Sequence, residues 1–119
     1  MTRNSARNTP ASFAGDALAL AAAHELVDSG DDRRLTPLQR SFAYMPFEHA
    51  EDPAMQDLAV KLFSELSQQH AGFESSLDYA LRHRDVIAQF GRFPHRNPIL
   101  GRASTPEELA YLAKPGSGF

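Results

Sequence analysis

The chain has 119 residues, 42% of them hydrophobic and 23% charged, with a formal charge of −3. That is room for one modest core within the ordinary globular range, and an acid balance that argues against wholesale binding to nucleic acid or anionic lipid. Cysteine is absent, which removes disulfides, zinc–thiolate sites and thiol nucleophiles and fits a reducing compartment.

The first fifteen residues carry Arg3 and Arg7 and no acid, a composition shared by transit peptides and by frayed termini; the second is our reading. The apolar stretch Leu18 to Ala23 follows Asp16 and is closed by His24 and Glu25, too short and interrupted for a signal peptide or a membrane span. The expected localisation is cytoplasmic.

The organising signal is a repeated punctuation. Thr9-Pro10, Thr36-Pro37, Asp52-Pro53 and Thr105-Pro106 each set a capping side chain directly before a proline. The cap oxygen accepts from free amides of the first turn, and proline fits next because that position has no intrahelical bond to lose. Gln39 and Glu108 stand where they can complete capping boxes with Thr36 and Thr105.

In chain order, the spacing predicts a first helix from about Pro10 to Asp28, with Phe13, Ala17, Leu20, Ala21, His24 and Val27 on one side. A charged connector, Asp28 to Arg34, follows. The second helix starts at Pro37 and is expected to break or kink at Pro46, leaving Phe47 to Glu51 as a turn or a last half-helix. The third runs from Pro53 to about Gln69, inward through Leu58, Leu62, Phe63 and Leu66, with Gly72 as its left-handed end. The fourth covers Glu74 to Phe90, inward through Leu77, Ala80, Leu81, Ile87 and Ala88, and stops at Gly91. Arg92 to Ser104 reads as a proline-rich connector, Pro106 to Ala113 as a fifth helix, and residues 1–8 and 114–119 as loose termini.

No stretch alternates as a strand would, and no repeat has a solenoid period. The expected fold is all-α, one domain over 1–119, an antiparallel αα-hairpin array or small bundle of about five helices.

The runs TPASFAGDALAL, DRRLTPLQRSFAYMPFEHAEDPAMQDLAVKLF and YALRHRDVIAQFGRFPHRNPILGRASTPEELAYL together resemble the bacterial DUF924 family, FGRFPHRNPILGR being the most specific part. The resemblance covers about Thr9 to Leu112. It implies a helical fold similar to tetratricopeptide-repeat domains, and no particular activity. Typical members carry further helices upstream, ending in a segment like LDQFPRN, of which only Arg7-Asn8 is an echo here. The expectation is a shortened member or a late start, with an apolar face left for another chain to cover, hence a homo-oligomer, most simply a homodimer.

Charge singles out a site. From Tyr79 to Arg102 there are five arginines against Asp85 alone, a local +4 that leaves −7 elsewhere. Gly91 and two prolines stiffen the loop at its centre, which lowers the ordering cost of binding. Arginine forks match carboxylate or phosphate oxygens, and histidine adds a donor tuned near neutral pH. Arg92, Phe93, His95, Arg96 and Asn97, with His83 and Arg84 nearby, are the candidate binding residues for an anionic group or a protein partner. The opposing reading is that these arginines pair with the chain's own acids and cap the preceding helix.

A second cluster, Glu48, His49 and Asp52, would share one side of a helical turn. Such ligands could hold a divalent metal, but no second motif completes a set and Asp52 already serves as a cap, so no metal and no cofactor are expected. Were this acidic turn to meet the basic loop, Glu48, His49 and His95 could form an acid/base set. The tripeptide His83-Arg84-Asp85 imitates a kinase catalytic loop without the rest of a kinase. The Phe/Arg interleaving of FGRFPHR resembles a single-strand stacking platform, which the net acidity opposes. Two functions stand: a non-catalytic interaction domain working through the basic loop, or a small-molecule binder or hydrolase-like enzyme built from loop and acidic turn together.

Overall fold

The computed structural model describes residues 15–115 and 117. Among them the regular structure is helical throughout: α1 (Asp16–Asp28), α2 (Pro37–Glu48), α3 (Pro53–Gln69), α4 (Glu74–Phe90), α5 (Asn97–Leu100) and α6 (Pro106–Leu112), with 3₁₀ turns at Asp31–Arg34 and Pro94–Arg96. Each of the first four helices packs chiefly on the next, most extensively α3 on α4, which is the hairpin array expected. The Thr9-Pro10 start lies outside the described residues.

Three of the proline-marked starts are capped as anticipated. Thr36 and Thr105 complete capping boxes with Gln39 and Glu108, and the Asp52 carboxylate accepts from the amides of Ala54 and Met55 at 2.8 and 3.4 Å. Gly91 ends α4 at φ +74°, where a side chain would be strained. Helix α3 ends on extended His70, with Gly72 two residues further on at φ +96°.

Helix α2 departs from expectation: it runs unbroken through Pro46 to Glu48. Proline in a helix interior costs about 3 kcal/mol. Against that, continuing the helix buries Tyr44 and Phe47 completely, and burying such a side chain stabilises by roughly 1.5–3 kcal/mol each. The far end is closed from α3: the Gln56 amide donates to the carbonyls of Glu48 and Ala50 at 2.6 and 2.8 Å, meeting acceptors that a helix end leaves open.

The connector after α1 is also more ordered than a charged link. The buried Asp32 carboxylate accepts from the Tyr44 hydroxyl at 2.5 Å, and that hydroxyl accepts from Arg40 Nε at 3.1 Å. In α1 the buried residue is Ala23, while Ala17 and Ala21 are exposed. In α4, Val86 is buried and Ala88 exposed.

Apolar packing divides into two clusters. The larger joins α1 to α4 around Tyr44, Phe47, Phe63 and Leu66. The smaller consists of Val86, Ile87 and Phe93, with Phe90 and Tyr111 packed against it. It roots the segment after Gly91, which is not a plain connector but a 3₁₀ turn followed by the four-residue α5. Ser117, placed among the loose terminal residues by sequence, is held to α6 by the Tyr111 hydroxyl, which donates to its carbonyl at 2.5 Å.

Candidate functional site

The acidic turn and the basic loop do meet. The end of α2 and the segment after α4 lie against each other, and each arginine of the loop has a definite station.

Arg92 forms a two-pronged pair with Glu108, Nε to Oε2 at 2.9 Å and Nη2 to Oε1 at 2.7 Å, and Nη2 also donates to the Ala103 carbonyl at 2.7 Å. Glu108 is itself the capping-box residue of α6, so one carboxylate fastens loop to helix. The Arg92 hydrogen bonds, with that of the Thr105 amide, hold the Glu108 carboxyl down at about 2 against the cost of desolvation. Arg102 grips both oxygens of Glu51 at 2.9 and 3.0 Å and donates to the Asn97 side-chain oxygen and the Phe93 carbonyl. Burial alone would raise Glu51. The Arg102 bonds and the Phe93 amide, which donates to Glu51 at 2.6 Å, outweigh it and keep the carboxyl below its ordinary value. Arg96 is buried, stacks on Phe93 with its guanidinium carbon 4.7 Å from the ring centroid, and donates to the His49 carbonyl at 2.9 Å.

The loop therefore does not present the candidate residues outward. Phe93 and Asn97 are fully buried and His83 nearly so, because the loop folds back to complete the smaller apolar cluster. Internal pairing of Arg92 and Arg102 with Glu108 and Glu51 is the opposing reading of the sequence. Arg84 is not brought to the loop: it leans across to Asp57 of α3 at 3.8 Å, partly in solvent. His95 is half-buried beside Phe93, ring centroids 5.8 Å apart.

What gathers instead is an ionisable nest around the end of α2. Glu48, the last residue of α2, is buried, and its Oε1 lies 3.2 Å from His83 Nδ1 of α4. That nitrogen also lies 2.8 Å from the Tyr79 carbonyl; a carbonyl can only accept, so Nδ1 carries the proton. The His49 and His83 rings stand 6.1 Å apart, and Phe93 meets His83 edge-on at 5.4 Å. Desolvation disfavours charge on both partners: it pushes the Glu48 carboxyl up to about 7 and the His83 imidazole down to about 4. Glu48, His49 and His83 bring one donor atom each within 4.8 Å of the others, so the set that the sequence left incomplete is completed by His83 rather than by Asp52, which stays with its helix cap. His83 is thirty-four residues from His49, beyond the reach of local spacing, and Glu51, Arg102 and Glu108 escaped the site list for the same reason.

Beside this nest lies a cavity of about 470 Å³ between α1 and the end of α2. Leu20, Phe42, Met45 and Pro46 give it an apolar wall; His49 and Arg96 stand on its polar side, together with the carboxylates of Asp16, Glu51 and Asp52.

The family described as bacterial protein of unknown function (DUF924) matches residues 1–116. Among solved structures, the "Protein of Unknown Function ATU0120" from Agrobacterium tumefaciens is similar at 44% identity and a TM-score of 0.78, over 90% of this chain and 57% of that one. The chain thus spans little more than half the length of that relative. No curated protein matches. The chain belongs to the DUF924 family, and among the described residues no helix is long and apolar enough to cross a membrane.

Proposed function

We propose that this DUF924 member binds a small amphipathic molecule in the cavity between α1 and α2. The observation that carries the reading is the cavity's composition. It has the volume of ordinary ligand pockets, an apolar wall from Leu20, Phe42, Met45 and Pro46, and a polar side holding a guanidinium and carboxylates together. Glu51 is neutralised by Arg102, which leaves Asp16 and Asp52 facing Arg96 and His49. A molecule with an apolar body and a head group of both signs complements such a lining, its carboxylate toward Arg96 and its amine toward the acids. The basic loop serves this site from within, by holding the turn at His49 to Ala50, rather than as an outward docking surface.

The test uses phenylalanine as probe, with 3-phenylpropionate and phenethylamine as its singly charged counterparts. Titration followed by amide NMR should give saturable shifts at Leu20, Met45 and His49, tightest for the zwitterion, and Phe42→Ser should weaken them. Absence of saturable shifts with all three compounds at millimolar concentration would remove the reading.

A second reading, the homodimer, is favoured by Leu38 and Phe42, one turn apart on α2 and 61% and 59% exposed. Apolar faces of this kind are commonly covered by another chain. Light scattering at micromolar concentration should give twice the 13.1 kDa of the chain, reverting to the single mass in Leu38→Asp; a monomer in the unsubstituted protein refutes it.

A further inference from the structure

We propose that Glu48, His49 and His83 form a binding site for one divalent transition-metal cation of the zinc class, next to the cavity and opening on it at His49. The proposal stands apart from the pocket reading, since it concerns an ion and not the cavity's organic occupant.

Two imidazoles and a carboxylate are the donor set that zinc, iron(II) and cobalt(II) accept while keeping a coordination position open. The three donors converge within 4.8 Å of one another. Metal bonds of about 2.0–2.2 Å set tetrahedral donors roughly 3.4 Å apart, so the adjustment required is side-chain rotation and not a change of fold. The donors come from two helices packed on each other, Glu48 and His49 from the end of α2 and His83 from α4. A site shared between helices is fixed by tertiary packing, unlike a chance cluster on one surface turn.

The surroundings hold the donors in place. The Glu48 carbonyl accepts from Gln56 at 2.6 Å, and the His49 carbonyl accepts from Arg96 at 2.9 Å. Both ligand-bearing backbones are therefore pinned by side chains from elsewhere in the fold, the role that outer partners play around metal sites. Burial supplies the drive. Glu48 is 5% exposed and His83 4%, and a carboxylate removed from water needs a strong compensating partner. The ion contact described for Glu48 is the His83 imidazole alone, a weaker partner than a doubly charged cation. The positive charge of Arg96 works against a cation here, but Glu51 lies within its field and offsets it. His49 belongs both to the cluster and to the cavity lining, so the open position of a bound ion faces the space where a small molecule would sit.

The experiment uses the full chain, stripped with chelator and titrated with Zn²⁺ by calorimetry and with Co²⁺ by visible absorption. The expected result is one equivalent bound, with cobalt d–d bands of a low-coordinate nitrogen–oxygen site. His49→Gln should weaken binding by more than the roughly 100-fold that loss of an outer partner costs, and Glu48→Gln likewise, whereas His70→Gln should leave it unchanged. His49 is only half-buried, so its variant keeps the test decisive even if a buried His83→Gln protein fails to fold. Less than one equivalent bound, or affinity unaltered by His49→Gln, overturns the proposal. Because no organic ligand is added, that outcome leaves the phenylalanine titration to be judged by itself.

Discussion

Phe93 measures how firmly the loop belongs to the fold. Its side chain is fully buried, one of three buried members of the smaller apolar cluster, with His83 at 5.4 Å and the Arg96 guanidinium at 4.7 Å. Phe93→Ala removes the ring from a site that α4 and Arg96 cannot collapse to fill. The expected cost is about 4 kcal/mol, of which roughly 1 is the lost guanidinium stacking. A domain of this size has perhaps 5–15 kcal/mol to lose, and each kcal/mol moves the midpoint by about 4 °C. The melting temperature should therefore fall by about 15 °C, read by far-UV circular dichroism and checked by urea titration. Phe42→Ala, at a residue 59% exposed, is the control and should stay within about 0.5 kcal/mol. If Phe93→Ala costs less than about 1 kcal/mol, the loop is not rooted in the fold, and the arginine stations described for it lose their basis.

Other perturbations probe separate links. The folded Glu108 carboxyl is depressed from 4.5 to about 2, so its contribution is complete above its unfolded value and drains away as pH falls from about 4.5 toward 2. A melting series across that window should slope downward in the wild type and flatten in Glu108→Gln; parallel slopes would show that the Arg92 pair contributes nothing. Tyr44→Phe leaves the buried Asp32 carboxylate without its 2.5 Å donor and should cost about 1–3 kcal/mol in a urea titration. Thr105→Ala removes the cap of α6 and should cost about 1 kcal/mol by the same measurement, a neutral result meaning that Arg92 and not the capping box starts that helix.

The parts legible in the sequence were those governed by neighbours along the chain. Asp52-Pro53 and Gly91 mark the bounds of α3 and α4 to the residue because a cap and a left-handed stop act within one turn. Pro46 misled because its local cost is real, while the burial of Phe47 and the Gln56 bonds that outweigh it come from another helix. The basic loop was legible as a charge excess but not as a direction. Composition cannot say that Arg102 reaches Glu51 fifty-one positions earlier, or that Arg92 turns to Glu108 rather than to solvent. His83 was noted as part of a polar helix face and proved to be the third member of the nest at Glu48 and His49, an assignment that only the packing of α4 on α2 makes.

Helix α4 is common to both apolar clusters, giving Ala80 to the larger and Val86 and Ile87 to the smaller. Cutting the chain at Gly91 would therefore not yield an intact four-helix piece: it would strip Phe93 from Val86 and Ile87 and open a greasy stub at the end of the longest hairpin. The C-terminal quarter acts as a keystone, and a shortened version of this protein should be prone to self-association through that uncovered end.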